Sequence, residues 1–342
     1  MDGVIQIADG DSASSTRTQC FKTLTTRRTH SRRGLRLMSR TIIIAGMHRS
    51  GTSLTSSLVQ RAGIYIGEKL LGADSANPRG YFEDVDFYQF HDHLLHERGQ
   101  TYLHIDSNFK FDPTAAEEEQ ARQLVAERLH RPLWGWKDPR TSLFLDFWIK
   151  LLPDARFLFV YRHPIEVLLS LLRRGEFESH PTFMAGLNAW HTYNTKILNV
   201  CKRFPDRCLL VQIEGVTKQP GKFFQLLQEK LQLDSCPDPE TFDQIYHASE
   251  LQKTPSPPEL TATLAKLFPE LLELYGQLNL QADLRNDEVC TDSAASLQFS
   301  SLVRYTESLP EPCSLPVKHS LLQLLLSLLA PDAMERLLGR FN

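Results

Sequence analysis

Gly46-Met-His-Arg-Ser-Gly-Thr-Ser53 has the spacing of a phosphate-binding loop. In such a loop the glycines let the backbone turn its N–H groups inward, and the N-terminus of the following helix adds a positive dipole end. The natural guest is therefore an anion. Position 52 narrows which anion. Nucleoside triphosphatases carry a lysine directly after the second glycine to hold β- and γ-phosphates, whereas this chain has Thr52 there and places its positive charge inside the loop, at Arg49. A triphosphatase also needs a magnesium-binding carboxylate at the end of a nearby strand, and the next clear strand ends instead in Tyr161-Arg162. Cations at two strand ends point to a polyanion bound without a metal.

Such a site needs a scaffold that brings strand ends together. Thr41-Ile-Ile-Ile-Ala45 is a β-branched run bounded by glycine and predicts a buried parallel strand; the apolar spacing of Leu54 to Ala62 predicts a helix stopping before Gly63. Asn77-Pro-Arg-Gly80 reads as a turn, followed by a polar helix from Glu83 to Glu97 carrying His91, His93 and His96. Thr114 and Glu117 form a capping box for a helix to about Leu129. Further strands are expected at Trp134–Trp136, Arg156–Tyr161 and Cys208–Ile213. Helices are expected at Phe144–Leu152, Pro164–Arg173, Ala185–Cys201 and Pro220–Leu231. This alternation predicts an α/β, P-loop-like three-layer fold with a central, mainly parallel sheet. Pro255-Ser-Pro-Pro258 marks a boundary, with helical patterns beyond it at 259–278 and 318–339. Three regions follow: a disordered basic arm over 1–40, the P-loop-like domain over 41–254, and a helical C-terminal extension over 255–342.

With a third block, Trp136-Lys-Asp-Pro-Arg-Thr141, lying in order between the two strand ends, the sequence resembles the sulfotransferase superfamily in its bacterial form. The resemblance covers roughly residues 41–233. It implies that Arg49, Ser50, Gly51, Thr52 and Ser53 cradle the 5′-phosphosulfate of 3′-phosphoadenosine 5′-phosphosulfate (PAPS). It also implies that Arg162 and Ser170, in Tyr-Arg-His-Pro followed by Ser170, hold its 3′-phosphate. The Lys-Asp-Pro block is similar to that of tyrosylprotein sulfotransferases and assigns Lys137, with Arg49, to stabilising the transferred group. The glycine-rich C-terminal cofactor motif of cytosolic-type members is absent, as is their histidine base in its usual context.

Sulfuryl transfer resembles phosphoryl transfer in needing an in-line nucleophile and cations around the central atom. A hydroxyl acceptor also needs a base. The segment ending in Tyr81-Phe82-Glu83 looks like one that brings a carboxylate to the donor in bacterial relatives, which makes Glu83 the first choice, with Asp84, Asp86 and His91 as competitors. His91, His93, His96 and His104 lack the paired spacing of helical zinc ligands, so no metal is expected; they are read as lining an acceptor cleft or a solvated face. Trp190, Tyr193 and Asn194 fall on a helix near the nucleotide in the family and equally suit a core.

Composition adds boundaries. A net charge of −3 gives no global attraction to nucleic acid, and six scattered cysteines without a CxxC pair indicate neither a zinc site nor a disulfide framework. The longest apolar run, Leu321–Ala330, is too short to span a bilayer, so a cytoplasmic setting without a membrane span is expected. The basic arm shares the composition of a transit peptide apart from Asp2, Asp9 and Asp11, and Met38 offers a second start. The leading expectation is sulfuryl transfer from PAPS to an acceptor of open class: carbohydrate, peptide, lipid or small metabolite. The alternatives are a P-loop nucleotide kinase using ATP and magnesium, and a catalytically silent nucleotide-binding scaffold that meets a protein partner through its C-terminal helix.

Overall fold

A computed structural model of the chain describes residues 39–73, 80–174, 180–234, 240–246 and 268–286. Strand β1 (Arg40–Gly46) leads through the loop into α1 (Thr52–Arg61); α2 (Val85–His96) and α3 (Ala115–Ala126) precede β2 (Leu133–Lys137). A short 3₁₀ turn (Pro139–Leu143) and α4 (Leu145–Leu151) lead to β3 (Arg156–Tyr161), α5 (Pro164–Arg173) and the long α6 (His180–Arg203). After β4 (Cys208–Gln212) come α7 (Ile213–Lys218), α8 (Pro220–Leu231), α9 (Glu240–Ile245) and α10 (Pro269–Gln281).

The sheet is parallel throughout its four strands, in the order β2-β1-β3-β4. Alternation along each strand feeds two cores. Ile43, Ala45, Phe157, Phe159 and Leu210 face a large aromatic layer built from α2, α4, α5, α6 and α10. Ile42, Ile44, Leu158, Val160 and Val211 face a second layer built from α1, α8 and α9. A sheet buried on both faces needs apolar residues at every position, which explains why its strands read as continuous apolar runs rather than alternating ones. The three-layer α/β architecture is the one expected.

Because β1 lies between β2 and β3, the chain leaves the carboxyl end of β1 where the strand order reverses, and the crevice there is the usual ligand position of open parallel sheets. The register aligns Ile44 with Lys137, Gly46 with Val160 and Tyr161 with Gln212, so the loop, Lys137 and Arg162 all emerge on one edge of the sheet.

Several local expectations meet particular outcomes. The Thr114/Glu117 capping box is present at the start of α3. Helix α2 starts two residues later than the sequence implies, with Asp84 as its N-cap, and it is not polar all round: Phe87, Phe90, His91, Leu94 and Leu95 are buried. Within the C-terminal region α10 is helical and packs on α6, and the following segment bridges Leu284 to Val211 of β4 in parallel. The turn residues 77–79, the boundary at 255–258, the helical pattern at 318–339 and nearly all of the basic arm lie outside the described residues. Among the described residues no helix is long and apolar enough to cross a membrane.

Candidate functional site

The loop after β1 is shaped by two left-handed residues. Arg49 has φ 66° and Gly51 has φ 90°, on either side of Ser50. Alternating right- and left-handed residues turn successive N–H groups to one side and make an anion-binding concavity. A side chain could not replace hydrogen at Gly51: its Cβ would sit 2.4 Å from Ile213 Cγ1, and one at Gly46 would sit 2.2 Å from Val160 O. No side chain caps α1, and its first turn carries no acid, so no carboxylate of the helix competes for its N-terminus. Ser50 is fully buried, yet its Oγ has no hydrogen-bond partner. A buried hydroxyl without a partner beside a cradle of N–H groups fits an incoming anionic oxygen.

The loop is tied to both flanking strand ends. On one side, Arg49 Nε donates to Ser170 Oγ at 2.9 Å and Arg162 Nη1 reaches Arg49 O at 3.4 Å. The residues expected at the two ends of the nucleotide are thus in direct contact. Arg162 is held in turn by Glu166 at 2.7 Å and Glu214 at 3.4 Å, and its carbonyl accepts from Trp190 Nε1 at 3.2 Å. Trp190, Tyr193 and Asn194 are all buried, so this helix is core and, through Trp190, also a prop for the Arg162 strand end.

On the other side, Lys137 at the end of β2 donates to Glu83 Oε1 at 2.8 Å and to Tyr81 O at 2.9 Å, and lies 3.5 Å from Ser53 Oγ. Both members of this ion pair are buried, at 1% and 4% exposure. The structure therefore brings Glu83, Lys137 and Ser53 together and sets Arg49, Ser170 and Arg162 across the loop from them. Thr52, 4% exposed, begins α1.

The competitors of Glu83 are engaged elsewhere. Asp84 and Asp86 both bind Arg128, at 3.0 and 2.5 Å. His91 neither lines a cleft nor lies on a solvated face. It is buried in the aromatic core, where Nδ1 lies 2.8 Å from Asp138 Oδ2 and Nε2 accepts from Trp148 Nε1 at 2.8 Å. An Nε2 that accepts leaves the hydrogen on Nδ1, and both ring nitrogens are used. Burial alone would raise Asp138, but Arg140 and His91 outweigh it and hold the carboxyl well below its usual range. His93, His96 and His104 are exposed, and among the described residues no three His, Cys, Asp or Glu side chains gather as metal ligands.

Sequence reasoning missed several neighbours. Arg140 is buried, pairs with Asp138 at 3.2 Å and lies 4.6 Å over the Tyr88 ring. His48 packs 4.5 Å from the Tyr102 ring with a buried, unpartnered Nε2; burial first, then Arg140, Lys137 and Arg174 outweighing Asp138, depress its proton affinity, so it is neutral. Glu166 stands four residues after Arg162 and was legible as a helical pair. Glu214 is an acid just beyond a strand end, the very feature judged missing from the sequence, and it meets Arg162.

A profile of the sulfotransferase family matches residues 41–238. No curated protein sequence matches the chain significantly. Similar solved structures include the sulfotransferase domain of the Synechococcus PCC 7002 olefin synthase, with 19% identity over 84% of this chain and 94% of that one and a TM-score of 0.41. Sulfotransferase STF9 from Mycobacterium avium matches at 15% identity over 69% and 76% of the two chains, with a TM-score of 0.45. The sulfotransferase domain from the curacin biosynthetic pathway matches at 15% identity over 85% and 98%, with a TM-score of 0.39. The family match alone takes in more than half of the chain, and with it the protein belongs to the sulfotransferase family of transferases.

Proposed function

We propose that the protein transfers a sulfuryl group from PAPS to a hydroxyl acceptor by in-line displacement. The observation that carries this reading is the contact between the two anion sites: a phosphate loop whose only side-chain cation, Arg49, is bonded to Ser170 and through its carbonyl to Arg162. A ligand with phosphate groups at both ends of one nucleoside suits two cationic strand ends joined in this way. A triphosphate instead needs a lysine at the position of Thr52.

The donor supplies the sulfuryl group and a phosphate leaving group. The loop amides of Ser50, Gly51, Thr52 and Ser53 bind the 5′ end, and the Ser50 hydroxyl gives it a further hydrogen bond. Arg49 and Lys137 face the charge that spreads over the non-bridging oxygens as the bond to sulfur lengthens. Glu83 takes the acceptor's proton. Its ammonium partner at 2.8 Å compensates the carboxylate in a place closed to water and also reaches towards Ser53 of the loop. As the proton arrives on Glu83, Lys137 is released from its ion pair and stays beside the departing charge. Base and charge stabiliser thereby act as one unit.

Titration calorimetry tests the donor. Adenosine 3′,5′-bisphosphate is expected to bind without magnesium and more tightly than ATP with or without it, and Arg162→Ala is expected to lose at least about tenfold in affinity for the bisphosphate. Preference for ATP with magnesium would replace this reading with the kinase.

A further inference from the structure

Arg162 is more heavily partnered than a phosphate site requires. Its Nε lies 2.7 Å from Glu166 Oε2, one turn along α5, and 3.4 Å from Glu214 Oε1, which arrives from α7 just beyond β4. Two carboxylates from different elements thus converge on the cation assigned above to the 3′-phosphate. Glu214 is the less ordinary of the two. Its second oxygen, Oε2, is buried, and no donor among the described residues reaches it. A buried carboxylate oxygen that no donor reaches loses its solvation without replacement, and the penalty grows when it carries the charge. A proton on that oxygen removes the charge, and an acceptor for the proton removes the rest of the penalty.

We infer that Glu214 is a proton-carrying contact of the donor's 3′-phosphate, its protonated carboxyl donating to a phosphate oxygen held by Arg162 while Glu166 remains the ion-pair partner of the arginine. This assignment rests on the PAPS reading and says how that site tells a phosphate from bare solvent. The surroundings favour the proton. Burial first, and then the carboxylate of Glu166, against Arg162's opposing pull, push Glu214 up to about 7, and a hydrogen bond shared between the two carboxyls adds to the rise, so Glu166 holds the proton's far side until a phosphate oxygen replaces it. The other titratable groups around it are phenols: Tyr161 at the end of β3, Tyr246 just after α9 and Tyr275 on α10, each raised by burial before anything else. Arg285, beyond α10, acts on Tyr161 and donates to Asn279 O at 2.6 Å. The phenols stay neutral through the range in which Glu214 titrates. The arginines Arg162 and Arg285 keep their charge, and the change falls on the carboxyl of Glu214 beside Glu166.

The sign of the effect follows. An ionised Glu214 facing a phosphate dianion is a like-charge contact, whereas its acid form is a hydrogen-bond donor. The incoming phosphate raises the group's proton affinity further, so above about pH 7 the nucleotide binds together with a proton, and affinity falls by up to about tenfold for each pH unit.

Calorimetry of the full chain with adenosine 3′,5′-bisphosphate, over roughly pH 6.5–8.5 in buffers of different ionisation enthalpy, reads this directly. The expected result is uptake of up to about one proton near pH 8 and a dissociation constant that rises with pH. Adenosine 5′-phosphosulfate, which lacks the 3′-phosphate, should bind with a flat profile. Glu214→Gln keeps a donor in place and should flatten the bisphosphate profile while holding affinity within about threefold of the wild-type value at low pH. Bisphosphate binding without proton uptake, or a Glu214→Gln profile as steep as the wild type's, overturns the assignment. The proton count on the wild type needs no variant and decides the matter even if Glu214→Gln does not fold. Binding of ATP with magnesium in place of the bisphosphate would remove the donor reading itself and this assignment with it; a flat bisphosphate profile removes this assignment alone.

Discussion

Glu83 and Asp84 are adjacent in sequence and both bury a carboxylate against a cation, yet the two ion pairs belong to different kinds of structure. Asp84 accepts from Asp86 N at 3.0 Å as the N-cap of α2 and holds Arg128 through both oxygens at 3.0–3.2 Å. Arg128 also reaches Asp86 and Leu124 O and lies 5.0 Å over the Phe87 ring. The Glu83–Lys137 pair instead borders the loop, where Ser50 Oγ and His48 Nε2 are buried without partners. A charge pair with every direction filled from within the chain contributes to the fold. One beside unfilled polar atoms is arranged for a molecule the chain does not contain.

Neutralising the two pairs should separate these roles. Replacing both Lys137 by Met and Glu83 by Gln removes both charges without orphaning either, so stability is expected to change by no more than about 1 kcal/mol while donor turnover falls by about 10³ or more. Release of labelled sulfate from PAPS and chemical denaturation check the two halves; a double variant that turns over normally would mean the pair is structural, and one that also fails to bind the bisphosphate would leave a silent scaffold open. Arg128→Ala should do the opposite, costing about 3–5 kcal/mol because Asp84 is left charged and buried, with turnover per folded molecule unchanged.

Smaller effects test how far the filled networks extend. His91→Phe leaves Asp138 Oδ2 and Trp148 Nε1 without the hydrogen bond each makes to His91, although Arg140 still holds Asp138 Oδ1, and should cost about 1–3 kcal/mol for each, without moving the pH dependence of turnover. A shifted pH profile would return His91 to the reaction. Glu117, paired with Arg98 at 2.9 Å, is pulled down to about 2 chiefly by that contact, against the opposing effect of burial. Its folded value lies below the unfolded one, so its contribution is present above about pH 4.5 and is lost as the pH falls towards 2. Glu117→Gln should therefore be less stable than the wild type by about 1–2 kcal/mol at neutral pH and equal to it near pH 2, as thermal melts across that range would show.

Much of the scaffold was legible because burial on both faces writes strands as unbroken apolar runs, and glycine marks where the loop turns. Arg156–Tyr161, Pro164–Arg173 and Pro220–Leu231 fall where the sequence places them. The fates of Glu83, Asp84 and Asp86 were not legible, since a shift of one residue in the start of α2 decides which carboxylate faces Lys137 and which faces Arg128. His91 was misread because its partners Asp138 and Trp148 come from segments distant in the chain, and a histidine among Phe87, Phe90 and Trp148 has no local signature. Glu214 escaped for the same reason: nothing in its spacing connects it to Arg162, and only the pairing of β3 with β4 does.

The parallel bridge from Val211 to Leu284 has a bearing on how the protein assembles. Gln212 N donates to Leu284 O at 2.8 Å and Asp283 N to Leu210 O at 2.9 Å, so the outer side of β4 is hydrogen-bonded by residues some seventy positions later in the chain. During synthesis, β4 leaves the ribosome well before its cover does. A translating chain therefore passes through an interval in which the apolar run Cys208–Gln212 presents an unpaired strand edge beside Arg162 and Glu214, the form most open to pairing with another chain. Residues 282–286 are the last of the described segments to be made, so their arrival completes the nucleotide side of the crevice.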